Sequence, residues 1–218
     1  MLRHGPPVTV ASFNGDTEEL KHLLDDSTND PSARNNEAIW LASARGHTEI
    51  VRLLMFHPSV DPAAISNLAI RKAGIEGHAD VVELLLTDPR VDPAQWDNIL
   101  ICQASFYGRT DVVKVLLAHE QVDPTARDNL PLQEACSQGH VDLVKLLLAD
   151  PRIDPSAQGN RLLQDSVMNR HWSVVSLLLS CEHLCVDPYS RDSDAFRSAV
   201  IDGQTHIATL LDSRPSSL

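Results

Sequence analysis

Leu130-Pro131-Leu132-Gln133-Glu134-Ala135-Cys136-Ser137-Gln138-Gly139-His140 decides the fold, because of what flanks it. Upstream stands Asp123-Pro124. Downstream come an apolar block, Val141-Asp142-Leu143-Val144-Lys145-Leu146-Leu147-Leu148, and then Asp154-Pro155. The same order recurs along the chain. Asp-Pro occurs as Asp30-Pro31, Asp61-Pro62, Asp92-Pro93, Asp123-Pro124, Asp154-Pro155 and Asp187-Pro188, at spacings of 31, 31, 31, 31 and 33. Gly15, Gly46, Gly77, Gly108 and Gly139 keep the 31-residue step; Arg170 takes the next slot and Gly203 follows 33 later. A fixed period of this length is the signature of a repeat architecture.

Each repeat reads as two helices. Ile50, Val51, Leu53 and Leu54 fall at i, i+1, i+3 and i+4, on one face of the second helix. Its first turn carries an acid (Glu18, Glu49, Asp80, Asp111, Asp142), which suits the positive end of the helix dipole. Three residues on comes a base in most copies: Lys21, Arg52, Lys114, Lys145. Pro58, Pro89 or Pro151 then ends the helix. The first helix is shorter, about two turns, as in Glu37–Ala44. A helix pair of this size cannot bury its apolar face alone, whereas a stack of them can.

The stretch 130–140 resembles the ankyrin signature T-P-L-H-x-A-A-x-x-G-H, as does Pro6-Pro7-Val8-Thr9-Val10-Ala11-Ser12-Phe13-Asn14-Gly15. Gly46-His47, Gly77-His78 and the Val-Val-x-x-Leu-Leu blocks match too. The resemblance implies an all-α ankyrin-repeat solenoid. It is read as a single domain over residues 1–212, with units starting near 6, 37, 68, 99, 130, 161 and 194, and a polar disordered tail at 213–218. The period of 31 implies hairpin loops about two residues shorter than the family's. The signature histidine is replaced by Thr9, Trp40, Arg71, Cys102, Gln133, Gln164 and Arg197, so the family's Thr–His hydrogen bond is expected to be absent.

Composition narrows function. Thirty acids against 18 bases give a net charge of −12, which repels nucleic-acid phosphates and anionic lipid. No run reaches the roughly 18 apolar residues of a membrane span, and Met1–Pro7 lacks a signal peptide's apolar region. The expected chain is intracellular, cytoplasmic and monomeric. No Gly-Lys phosphate loop, G-x-S-x-G or H-E-x-x-H occurs. The recurring aspartates are turn formers. No catalytic residue, cofactor or metal is therefore assigned. His47, His78, His140 and His171 repeat at one register position and read as structural. Cys181-Glu182-His183-Leu184-Cys185 is the one metal-like cluster, and a metal-sensing role there is the weaker alternative. Cys102 and Cys136 read as packing residues.

The resemblance implies a non-catalytic module that binds a protein through the concave face lined by first helices and loop tips. An inhibitor or adaptor subunit of a larger complex is the alternative. Two positions before each glycine slot stand Phe13, Ala44, Ile75, Phe106, Ser137, Met168 and Ile201. With only nine aromatic residues in the chain, Trp96, Phe106 and Tyr107 gather attention. The partner-binding candidates are Ile75, Trp96, Phe106, Tyr107 and Met168, with Trp40 and Trp172 assigned to packing.

Overall fold

The computed structural model describes residues 5–158, 161–180 and 193–212. Fourteen α-helices run through them, and no strand occurs among the described residues. They are α1 Pro7–Asn14, α2 Thr17–Asp25, α3 Ala33–Arg45, α4 Thr48–Met55, α5 Ala64–Glu76, α6 Ala79–Leu85, α7 Gln95–Phe106, α8 Thr110–Leu117, α9 Ala126–Ser137, α10 Val141–Leu148, α11 Arg161–Met168, α12 Trp172–Ser180, α13 Ser193–Ile201 and α14 Thr205–Asp212. The helix pairs expected from the 31-residue register are all there. The tail at 213–218 lies outside the described residues.

The chain falls into two compact units, Met1–Ala104 with Asp111–Asp123, and Ser105–Thr110 with Pro124–Leu218. In the first, α1 packs on α3 and α3 on α5, while α2 packs on α4 and α4 on α6. First helices thus form one layer and second helices another. In the second unit α9, α11 and α13 make the first layer, and α10, α12 and α14 the other.

The apolar blocks supply the core between layers. Ile50, Val51 and Leu54 of α4 are buried, as are the equivalent Val81, Val82 and Leu85 of α6. In the second unit Leu143, Val144 and Leu147 of α10 and Val174, Val175 and Leu178 of α12 hold the same places. Each such side chain contributes about 1.5–3 kcal/mol relative to exposure. First helices bring small residues to the same interface: Ala42-Ser43, Ala73-Gly74 and Ala104-Ser105. Gly74 shows why. A Cβ there would sit 2.5 Å from Leu100 Cδ1, so the Leu100 side chain occupies the space that a larger residue would need.

The Asp-Pro segments are built turns. Asp61 Oδ1 accepts the backbone N–H of Ala63 at 3.0 Å, and Asp30 and Asp154 accept those of Ser32 and Ser156 at 2.9 Å. A second turn precedes some of them. Arg90 donates to Asp88 from Nη2 at 2.7 Å, and Arg152 to Asp150 likewise. These arginine hydrogen bonds hold the Asp88 and Asp150 carboxyls below the usual carboxylate range. Arg90 also donates to the Val60 carbonyl at 3.3 Å, joining its turn to the preceding one.

Candidate protein-recognition surface

α3, α5, α7 and α9 each open on a left-handed turn of three residues, and the right-handed helix after it is not shorter than the second helix of its pair, contrary to the expectation from sequence. The turns are Arg34-Asn35-Asn36, Ile65-Ser66-Asn67, Trp96-Asp97-Asn98 and Arg127-Asp128-Asn129, with φ between 51° and 62°. The asparagine N–H closes each turn on the carbonyl four residues back, at 2.8–2.9 Å. Left-handed backbone costs an L-residue roughly 1–2 kcal/mol, and asparagine tolerates it better than most.

The asparagines also reach forward. Asn36, Asn67 and Asn98 accept, through Oδ1, the backbone N–H of Asp61, Asp92 and Asp123 at 2.8, 3.3 and 2.9 Å. This ladder ties successive repeats together where the Thr–His pair is missing. In the second unit Asn129 keeps the turn, but its buried Oδ1 finds no partner among the described residues. There Gln133, in the signature histidine's slot, donates to the Asp128 carbonyl of the turn.

The register histidines are structural, as expected. His47 donates from Nε2 to the Phe13 carbonyl at 3.3 Å, His78 to Ala44 at 3.2 Å and His140 to Phe106 at 3.0 Å. Their rings lie against the glycines of the preceding repeat. A Cβ on Gly46, whose φ is +73°, would meet His78 Nδ1 at 2.6 Å.

With its backbone locked, the first left-handed residue of each turn faces outward. Ile65 is 48% and Trp96 51% exposed. The Arg71 guanidinium lies 4.5 Å from the centre of the Trp96 ring, within cation–π range. Arg45 covers Phe13 in the same way, at 4.1 Å. Ile75 is half-buried. In the second unit Phe106 and Tyr107 are exposed, with ring centres 5.1 Å apart and planes at 88°. Met168 is 73% exposed. The five candidates therefore divide. Ile75 and Trp96 belong to the first compact unit, and Phe106, Tyr107 and Met168 to the second.

Trp40 and Trp172 are half-buried. Cys102 and Cys136 are buried. Cys181 and Cys185 lie outside the described residues, among which no group of three or more His, Cys, Asp or Glu is placed to hold a metal. No helix among them is long and apolar enough to cross a membrane.

A family model described as ankyrin repeats, in three copies, matches residues 8–97, 72–159 and 100–192. The chain belongs to the ankyrin repeat family. No curated protein matches its sequence significantly. Ankyrin repeats generally mediate protein–protein interaction and are typically not enzymes.

Two features of this ankyrin chain escaped the sequence reading. Ile65 stands 31 residues before Trp96, at the same turn position, and that register alone would have found it. The second is a pair of grooves along the second helices of the first compact unit. One, of about 580 Å³, runs between α6 and α8. The other, of about 280 Å³, lies between α4 and α6 beside Met55, Leu84 and the 82%-exposed Phe56.

Proposed function

We propose that this ankyrin chain binds a protein partner, without catalysis, through the face built by its left-handed turns and first helices, the concave side expected of an ankyrin stack. The observation that carries the reading is Trp96. Half its surface is exposed, it sits on a turn tied down by Asn98, and Arg71 braces its ring. A large aromatic side chain held rigid at a surface loses little conformational freedom on binding, and such residues are the usual hot spots of recognition. Ile65 extends the same column of turn positions. Phe106, Tyr107 and Met168 supply a second exposed apolar set in the other compact unit.

The test is a pull-down from source lysate read by mass spectrometry, repeated with Trp96→Ala. Loss of a partner on truncation, with the melting temperature shifted little, supports the site; truncation is expected to cost about 2 kcal/mol or more of binding. Undiminished capture refutes it, and so does unfolding, which would return Trp96 to the core. Whether the partner co-purifies at dilute concentration separates a stable inhibitor or adaptor subunit from a free module.

A further inference from the structure

We propose that the groove between α6 and α8 docks a basic amphipathic helix, a partner segment with lysine or arginine flanking an apolar stripe. The site lies on the second-helix layer and does not rest on the Trp96 reading.

The motif that fails here is the acid–base pair of the second helices. Glu18 holds Lys21 at 2.8 Å, Glu49 holds Arg52 at 3.5 Å and Asp142 holds Lys145 at 3.2 Å. In α6 the register position of those bases is Glu83, three residues after Asp80. Two carboxylates so placed on one helix face repel by a few tenths of a kcal/mol. Across the groove α8 presents Asp111. None of the three forms an ion pair among the described residues, and the lining holds one ammonium, Lys114. Between the charges the floor is apolar: Leu86 and Val115 are only partly covered by the protein's own atoms, and Ala118 is exposed.

An apolar floor with an acidic rim fits a helix that lays leucine-type side chains into the groove and cations along its edges. The eight residues of α8 span about 12 Å, so two to three turns of a partner helix match its length. A second copy of this chain is a poor occupant, since each copy carries −12.

The experiment uses the full chain and a fluorescein-labelled helical peptide of about 14 residues, leucine at i, i+3, i+4 and i+7 and lysine elsewhere, read by anisotropy. Glu83→Lys restores the pairing seen in the other helices, so its melting temperature should be unchanged or higher. Its affinity should fall about tenfold, as expected for reversing a rim charge. Glu19→Lys, an exposed acid on α2, makes the same change in net charge and should leave affinity within about twofold. A peptide with glutamate in place of lysine should not bind. The proposal is overturned if the lysine peptide fails to bind, if both variants weaken it equally, which is attraction to net charge alone, or if the glutamate peptide binds as well.

Discussion

Asn36 accepts a hydrogen bond from the backbone N–H of Asp61 at 2.8 Å, across 25 residues of chain. Asp61 precedes Pro62, which disfavours a helical conformation there, and its N–H lies outside any helix. The asparagine of the preceding repeat satisfies that donor while it closes its own left-handed turn. One side chain thereby sets a local conformation and a link between repeats.

The two roles separate by mutation. Asn98 is 7% exposed and bonds to Asp123. Asn98→Gly keeps the left-handed backbone and loses the bond, an expected cost of about 1 kcal/mol. Asn98→Ala loses both and should cost about 2–3 kcal/mol. Asn129→Gly should cost least, because its Oδ1 has no partner to lose. Urea denaturation ranks the three, and equal losses at Asn98 would show that the backbone conformation contributes nothing.

Gly46 carries two constraints and Gly203 carries one. Both have positive φ, but a Cβ on Gly46 meets the His78 ring, whereas one on Gly203 meets nothing within 4 Å. Gly203→Ala should cost about 1–2 kcal/mol. Gly46→Ala should cost more, and part of the excess should vanish in the Gly46→Ala/His78→Ala double variant. Additive effects in that thermal-melt cycle would rule out the steric reading.

Arg170 occupies a glycine slot with φ +60°. An ion pair with Asp202 at 3.3 Å, exposed on the arginine side, offsets about 0–1 kcal/mol of that strain. Arg170→Gly should therefore raise stability by up to about 1 kcal/mol. In the natural chain, amide hydrogens of residues 161–180 and 193–212 should exchange faster than those of 68–158, since a repeat stack frays from its weakest junction. Equal protection across both would count against this.

Acid should act through the Asp-Pro-Arg turns. The Asp88 and Asp150 carboxyls are held below their ordinary value by hydrogen bonds from Arg90 and Arg152. The unfolded chain therefore takes up protons first as pH falls. Their stabilisation is complete above the ordinary carboxylate value near pH 4 and is lost as pH drops through the lower folded values. Melting temperatures should be flat from about pH 7 to pH 5 and fall below about pH 4. An Asp88→Asn/Asp150→Asn variant should start lower and decline less. Parallel curves for the two proteins would place the acid sensitivity elsewhere.

The helices were legible because their signals are one-dimensional. The Asp-Pro and glycine periods and the apolar face of Ile50, Val51 and Leu54 need only counting. Arg170's slot was also legible, because the register puts it where the preceding repeats carry glycine, and only the structure shows its φ of +60°. The left-handed turns were not. Trp96-Asp97-Asn98 has no glycine, and nothing local marks three L-residues as left-handed. The clue was Asn36, Asn67, Asn98 and Asn129 in register, the first three with bonds that span 25 residues. The exposure of Trp96 was anticipated from aromatic scarcity, but its Arg71 brace depends on side-chain packing between repeats. The α6–α8 groove required knowing which faces of two helices look at each other.

The fixed reach of the asparagine bonds makes the chain indifferent to how many modules it contains, provided each is cut to length. Excising residues 37–67, one full period, would bring Asp92 to Asn36 in place of Asp61, and His78 to the Phe13 carbonyl in place of His47. Removing one residue fewer would leave the N–H and its acceptor out of step. Gain and loss of whole 31-residue blocks is therefore a route by which such a protein can lengthen or shorten its surface without redesigning a single joint.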